Sequence, residues 1–373
     1  MIADDTPVLD GRALNRALLA RQGLLERVEL EPAAAVSHLL GLQAQEPLSP
    51  YIGLWSRLCD FDPARLAALL TERAAVRMTL VRGTIHMATV ADARSLRPLV
   101  QTVIERAHNG AFGRRMGGAD PERIAAAVRD ELADEALGAR ELGRRLAARG
   151  IGDDPEALGN AARVYVPLVQ VPPRGVWGAG GRALYATLES WTGRGLDPAP
   201  SVDRLVVRYL RAFGPASVMD MQNWSGLTRL AAAFERLGPR LSHFRDERGT
   251  DLFDLPDAPH PDPARPAPAR FLGEYDNVLL GHADRARIIP ADFPWDAMRA
   301  EGRFISNVLV DGVLRATWWL ERDGRRRVIL AIRPFREFSA TERAEVGDEA
   351  ARLVELVGSE AAARDVRFEP AVG

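Results

Sequence analysis

Val76-Arg77-Met78-Thr79-Leu80-Val81-Arg82-Gly83-Thr84-Ile85-His86-Met87-Ala88 consists of two alternating runs joined across Arg82-Gly83, the pattern of a β-hairpin. On its N-terminal side, apolar residues recur every three or four positions over residues 9–21, 31–45 and 63–71, which predicts three helices. Three helices and a hairpin make a winged helix-turn-helix. On the other side, residues 92–106 read as a connecting helix, and Gly117-Gly118 followed by Asp120-Pro121 marks a break and a new helix start. The pattern then returns, with helices over 121–133, 139–149 and 155–170 and a Gly/Pro-rich wing over 171–185. It returns once more, with a helix over 202–213, a short one from Gly214-Pro215 to Asn223 and a third over 227–237. The hairpin Leu241-Ser242-His243-Phe244 and Leu252-Phe253-Asp254 closes this unit. The expected units are 1–116, 117–198 and 199–256, alike in architecture more than in sequence. A proline-rich linker over 256–268 leads to a small β-rich domain over 269–373, with strands within 271–289, 304–320 and 327–332. Asp311-Gly312 and Asp323-Gly324 are its hairpin turns; an amphipathic helix over 340–357 and a last strand at Val366-Arg367-Phe368 end it. The expected fold class is α+β, mainly α.

At 373 residues, with 47% hydrophobic and 27% charged residues, the chain has ample material for several cores and no segment of membrane-spanning length. Its start, Met1-Ile2-Ala3-Asp4-Asp5, is acidic and leads into no apolar run, so a cytoplasmic, nucleoid-associated protein is expected. Cys59 stands alone; internal disulfides and cysteine-based zinc sites are excluded, and a buried, inert thiol is expected. All 49 basic residues are arginine. Schiff-base chemistry on a lysine and a phosphate-loop lysine are therefore impossible. With a net charge of −2, binding to a polyanion requires arginines gathered on one face; Arg77, Arg82, Arg114, Arg115, Arg144, Arg145, Arg174, Arg182, Arg285 and Arg287 are candidates for a long concave surface suited to a duplex, the alternative being scattered solvated arginines balanced by Asp and Glu.

Gln43-Ala44-Gln45 closes the apolar run His38-Leu39-Leu40-Gly41-Leu42, and Pro47 stops it; the chain holds only six glutamines. Pro47 pushes Glu46 out of helical geometry, so the helix over 31–45 is expected to fray at this pair and turn both amides toward one cavity. The alternative is a polar helix end that caps itself. His86 sits in a strand, where a satisfied structural histidine is the competing reading. Gly281-His282-Ala283-Asp284-Arg285-Ala286-Arg287 is polar and basic between two apolar stretches, a short hairpin or loop that would present His282, Arg285 and Arg287 to a groove. His282 and Asp284 lack the further ligands of a zinc site, so no metal is expected. Glu274-Tyr275-Asp276-Asn277 reads as strand entry and turn chemistry, with a site role as the alternative.

These stretches resemble the AlkZ-like winged-helix DNA glycosylases, which remove alkylated bases and in some bacteria unhook interstrand cross-links. The resemblance runs through Leu39 to Gln45, Arg82-Gly83-Thr84-Ile85-His86, Phe213-Gly214-Pro215-Ala216-Ser217, Asn223-Trp224-Ser225-Gly226-Leu227 and Leu279-Leu280-Gly281-His282-Ala283-Asp284-Arg285, in order over nearly the whole chain. It implies three tandem winged helices around a basic concave cleft, a Gln-aliphatic-Gln catalytic signature matched by Gln43 and Gln45, and a β-hairpin in the cleft, assigned to 280–289. The expected activity is monofunctional excision of cationic alkylpurines, with double-stranded DNA as partner, no cofactor or metal, a monomeric enzyme, and a role in repair or self-resistance. His282, Arg285, Arg287, Arg82, His86 and Arg77 are the expected DNA-binding residues. A non-catalytic winged-helix DNA-binding protein or regulator, and a protein-binding scaffold, are the alternative readings.

Overall fold

Asp-Pro pairs start three of the helices. Asp62, Asp120 and Asp154 each turn a carboxylate onto the free amides of the following turn, while the next proline occupies a position that needs no N–H. The computed structural model describes residues 6–294 and 306–372. In chain order, β1 (Val8–Leu9), α1 (Gly11–Arg21), α2 (Pro32–His38), β2 (Leu42–Gln43), α3 (Ser49–Trp55) and α4 (Pro63–Thr71) precede the hairpin β3 (Ala75–Thr79) and β4 (Ile85–Thr89). Next come α5 (Val90–Leu99) and α6 (Gln101–Phe112), then α7 (Pro121–Glu131), α8 (Ala139–Ala148) and α9 (Pro155–Tyr165), with β5 (Leu168–Gln170) and β6 (Tyr185–Thr187). The third stretch is α10 (Leu188–Thr192), α11 (Val202–Phe213), α12 (Val218–Ser225) and α13 (Ala231–Leu237), with β7 (Ser242–Asp246) and β8 (Asp251–Asp254). The C-terminal part holds β9 (Arg270–Leu272), α14 (Asn277–Leu280), β10 (Ser306–Val310), β11 (Val313–Asp323), β12 (Arg327–Pro334), α15 (Ala340–Val357) and β13 (Ala363–Phe368). The fold is α+β and mainly α.

Where the elements depart from expectation, a local cause is visible. The helix expected to run to residue 170 stops at Tyr165, because Val166 precedes Pro167 and is extended, at φ −122°. The expected connecting helix is two helices meeting at Val100, just after Pro98, which has no N–H to give. Pro50 and Gly53 hide the periodicity of the seven-residue α3, which the sequence reading lacks. Cys59 is exposed, not buried: Val28 pairs with the backbone on either side of Leu58, sending Leu58 inward and its neighbour out. No described helix is long and apolar enough to cross a membrane.

The sheets tie distant parts of the chain together. Arg77 on β3 is in register with Gln170 on β5, so the first two strand pairs form one sheet of order β2-β4-β3-β5-β6. β1 runs parallel to β7, adding the N-terminal segment to the third hairpin. The last sheet has the order β13-β12-β11-β10-β9, with Asp311 (φ 46°) and Gly312 (φ 80°) making the tight turn that the Asp-Gly pair predicts. α15 packs Val346, Leu353 and Val357 on this sheet against Phe271, Leu330 and Ile332. Each such fully buried side chain contributes about 1.5–3 kcal/mol. The largest core joins Leu18, Met78, Tyr209, Phe213, Trp224 and Leu309, side chains from α1, β3, α11, α12 and β10, and the site described next rests on it.

Candidate active site

The glutamine pair does not sit at a frayed helix end. α2 stops at His38, and the chain reverses through Leu40 (φ 58°) and Gly41 (φ 89°), with the Gly41 amide bonded to Val36 O at 2.9 Å. A left-handed leucine is costly, and the turn is held from outside: Asn277 Nδ2 donates to Leu39 O at 3.1 Å and to Gly41 O at 2.8 Å. Beside it Asp276 is paired through both oxygens with Arg57, at 2.6 and 2.8 Å, and both side chains are buried. The chain then enters β2, where Leu42 opposes Met87 and Gln43 opposes His86, and the Ala44 amide bonds Ile85 O at 2.7 Å. Strand alternation sends Leu42 and Ala44 into one core and Gln43 to the opposite face. Gln45 follows where the chain leaves the sheet, and it is exposed.

Gln43 is only 6% exposed, and its Oε1 accepts a hydrogen bond from Arg82 Nη2 at 2.9 Å. A guanidinium can only donate, so this contact fixes which end of the amide is oxygen and turns its NH2 group away. Arg82 sits at φ 56° in the turn between β3 and β4, and its Nη1 donates to Trp224 O at 2.6 Å at the end of α12. Burial, reinforced by the charge of Arg285, lowers the Arg82 pKa to about 10, so it stays protonated at neutral pH.

Arg285 reaches this position on the loop after α14. Tyr209 donates to Gly281 O at 2.7 Å, Asn223 Nδ2 to His282 O at 3.1 Å, and the Ala283 amide to Asp220 Oδ1 at 2.9 Å. His282 Nε2 lies 2.9 Å from Phe213 O, and Arg287 Nη1 donates to Pro215 O at 3.0 Å. Each anchor comes from α11, α12 or the segment between them. The half-exposed Arg285 side chain has no hydrogen bond or ion pair among the described residues.

A model of the family described as DNA glycosylase AlkZ-like matches residues 36–356. The chain belongs to the AlkZ-like DNA glycosylase family. A Streptomyces sahachiroi protein described as an interstrand DNA cross-link repair glycosylase is 25% identical over 332 residues, covering 80% of this chain and 85% of that protein. The solved structure of the Streptomyces sahachiroi DNA glycosylase AlkZ shares the fold, with a TM-score of 0.73 at 19% identity, over 97% of this chain and all of that one.

In this AlkZ-like chain the expected site residues fall into two groups. Arg82 holds Gln43 and feels the charge of Arg285, while Gln45 is exposed two residues further along the chain. Arg77, His86 and His282 are instead sealed, at 2%, 3% and 2% exposure, which corrects the expectation that they reach a duplex. Arg77 Nη2 donates to Ala44 O at 2.7 Å and its Nε to Gln170 Oε1 at 3.3 Å, so it braces the backbone between the two glutamines. Burial and then Arg174 lower its pKa to about 10. Gly175 has to be glycine beside it, since a Cβ there would lie 2.4 Å from Arg77 Cδ. Burial drives His86 down to about 3, with the Arg82 charge adding; its Nδ1 lies 3.1 Å from Thr84 O. His282 is likewise held near 3 by burial and then by Arg287. Arg287 is half-buried under the loop, and burial lowers its pKa too. Residues 280–289 form an anchored loop, not the expected β-hairpin: the Ile288 and Ile289 amides turn back onto Arg285 O, and His282, Ala283 and Arg287 bond to α11, α12 and the segment between them. Trp224 is a further residue of this arrangement that the sequence reading does not single out for the site; Asp276-Asn277 reads there as turn chemistry first and as a site only second. Among the described residues no three His, Cys, Asp or Glu side chains are grouped to hold a metal.

Proposed function

We propose that this DNA glycosylase hydrolyses the N-glycosidic bond of cationic alkylpurines in duplex DNA, N7-alkylguanine and N3-alkyladenine, with Gln43 and Gln45 placing the attacking water. The observation that carries the reading is the Arg82–Gln43 contact, an amide locked in one orientation, with Gln45 exposed and Arg285 without a side-chain partner among the described residues. Alkylation already gives the base a positive charge. When the C1′–N bond breaks, its electrons return to the base and neutralise it, so no general acid is needed. Water forms the new C1′–O bond and releases its proton to solvent. Neither glutamine is a strong base; their contribution is position and dipole at an oxocarbenium-like transition state. Arg82 takes one lone pair of Gln43 Oε1, and the second is left for the water. Arg285, without a counter-ion among the described residues, serves as the phosphate contact that sets the strand.

The mechanism is hydrolytic and monofunctional, since the chain has no lysine to attack the sugar. Interstrand cross-link unhooking, the activity in the description of the Streptomyces sahachiroi relative, is included in the proposal, with the monomer as the acting species. The test is base release by the purified protein from a duplex carrying one N7-methylguanine, with borohydride present in parallel. Free N7-methylguanine and no trapped protein–DNA adduct are expected; binding without base release would leave a non-catalytic DNA-binding protein.

A further inference from the structure

The turn that carries Arg82 has two sides. One faces Gln43. On the other, Thr79 and Gly83 border a separate cavity of about 170 Å³, walled by α6 and α9. Its polar lining is Thr79, His108, Asn160 and Arg163, with no carboxylate among the lining residues. His108 is 6% exposed and stacked on Phe112, with centroids 5.5 Å apart, and its Nε2 has no hydrogen-bond partner. Arg163 donates Nη2 to Asn160 Oδ1 and lies 5.9 Å from the Tyr185 ring, but its Nε has no partner. No carboxylate pairs with it among the described residues, whereas Arg115, Arg145 and Arg149 around α7, α8 and α9 are each matched by at least two acidic groups. The Thr79 hydroxyl has no hydrogen-bond partner among the described residues either.

A half-buried guanidinium without an anion, next to a sealed imidazole nitrogen without a partner, is unfavourable until something negative and rich in acceptors arrives. We propose that this cavity takes one phosphate of the DNA backbone, held by the Arg163 guanidinium, the His108 ring N–H and the Thr79 hydroxyl. A backbone phosphodiester brings the charge that Arg163 lacks and acceptor oxygens for the other two donors. Asn160, anchored through Nδ2 to Glu156 O at 2.9 Å, aims the guanidinium. A strand bound at both sides of one turn would be fixed in register relative to Gln43, which is what hydrolysis at a single sugar requires. The inference rests on duplex DNA being the substrate, but not on the identity of the lesion.

The test is equilibrium binding of an undamaged duplex across a range of salt concentrations by wild type, Arg163→Gln and Thr79→Val. Removing one phosphate contact should reduce the slope of log K against log salt by about 0.9 for Arg163→Gln. Thr79→Val, nearly the same shape, should weaken binding several-fold at an unchanged melting temperature and keeps the test usable if the arginine variant fails to fold. In parallel, inorganic phosphate is titrated against the protein while the His108 ring signals are followed by NMR, assigned with His108→Asn; anion binding should raise the pKa of this histidine. Unchanged salt slope and affinity in folded variants would overturn the proposal. So would a phosphate response of His108 without any effect on duplex binding, which would make the cavity a free-anion site. Base release from alkylated duplex by wild type is scored separately, so a wrong lesion assignment is told apart from a wrong phosphate site.

Discussion

Arg82 Nη2 donates to Gln43 Oε1 at 2.9 Å, and the same guanidinium holds Trp224 O at 2.6 Å, so one arginine on the first hairpin fixes a glutamine on β2 and the end of α12. Lysine at position 82 would keep a charge but lose the planar fork that reaches both oxygens. Arg82→Lys is therefore expected to slow single-turnover excision about 10–100-fold, the range in which a misplaced catalytic group costs rate, while undamaged-duplex affinity falls much less. Comparable losses in rate and affinity would place Arg82 on the DNA and not on Gln43.

The two glutamines should separate in stability though not in activity. Gln43→Ala leaves a half-buried Arg82 N–H without its acceptor, a loss of about 1 kcal/mol, whereas Gln45 is exposed and its alanine variant should be as stable as wild type. Both are expected to lower excision by about 10²–10³, as removal of one positioned transition-state group does, with duplex binding nearly intact. Urea denaturation and single-turnover assays on the two variants check this. A fully active Gln45→Ala would remove it from the mechanism.

Arg285 should behave differently from both. Its side chain holds no other described residue by a hydrogen bond or ion pair, so Arg285→Ala is expected to leave the melting temperature alone, to weaken duplex binding, and to reduce the salt slope by about 0.9. A loss of stability would show that the side chain supports the loop.

The sequence carried those features whose causes are local. Asp-Pro pairs start helices because carboxylate and proline act within one turn, and Asp311-Gly312 closes a hairpin because both residues accept positive φ. The glutamine pair was legible as a place but not as a conformation. The helix before it ends seven residues earlier than its apolar pattern suggests because Leu40 and Gly41 turn left-handed, and the side chain that clamps this turn, Asn277, lies 238 residues from Leu39. Gln43 projects from a short edge strand and Gln45 from the bend that follows it, neither from a fraying helix. His282 sits in a stretch that reads as exposed, yet its partner, Phe213 O, belongs to another unit, and no spacing rule links the two. Arg77 and His86 are misplaced for the same reason: Arg77 pairs with Gln170 of β5 and His86 with Gln43 of β2, partners far along the chain from a hairpin whose own pattern shows only alternation.

The sealed histidines make stability depend on pH. His86 and His282 have folded pKa values near 3 against an ordinary value of 6.5, so the folded state holds them neutral while the unfolded chain takes up both protons below 6.5. Their contribution is present above pH 6.5 and is lost as pH falls from 6.5 toward 3. Each histidine lowers stability by about 1.4 kcal/mol per pH unit in that window. Urea midpoints at pH 7 and pH 5 should show the drop, to which His38 and His108, also lowered by burial, add, and His86→Gln should make it shallower. An equal pH dependence in that variant would mean that His86 is accessible to protons in the fold.

Asn277 provides the test of whether backbone position at the glutamines governs the chemistry. Its amide nitrogen spans Leu39 O and Gly41 O, and Gly41 is itself tightly placed, since a Cβ there would lie 3.0 Å from Met87 O. Asn277→Ala removes both hydrogen bonds without touching Gln43, Gln45 or Arg82, and it should lower stability by about 1–3 kcal/mol through the carbonyls left without donors. If the clamp sets the path of β2, excision should also fall at least tenfold while affinity for undamaged duplex stays within about twofold, because a shift of about 1 Å is enough to misplace the water. Stability and rate measured on one preparation distinguish the outcomes. A destabilised variant that excises at the wild-type rate would make Asn277 a support of the fold alone, and the left-handed turn at Leu40 would then have no part in placing the amides.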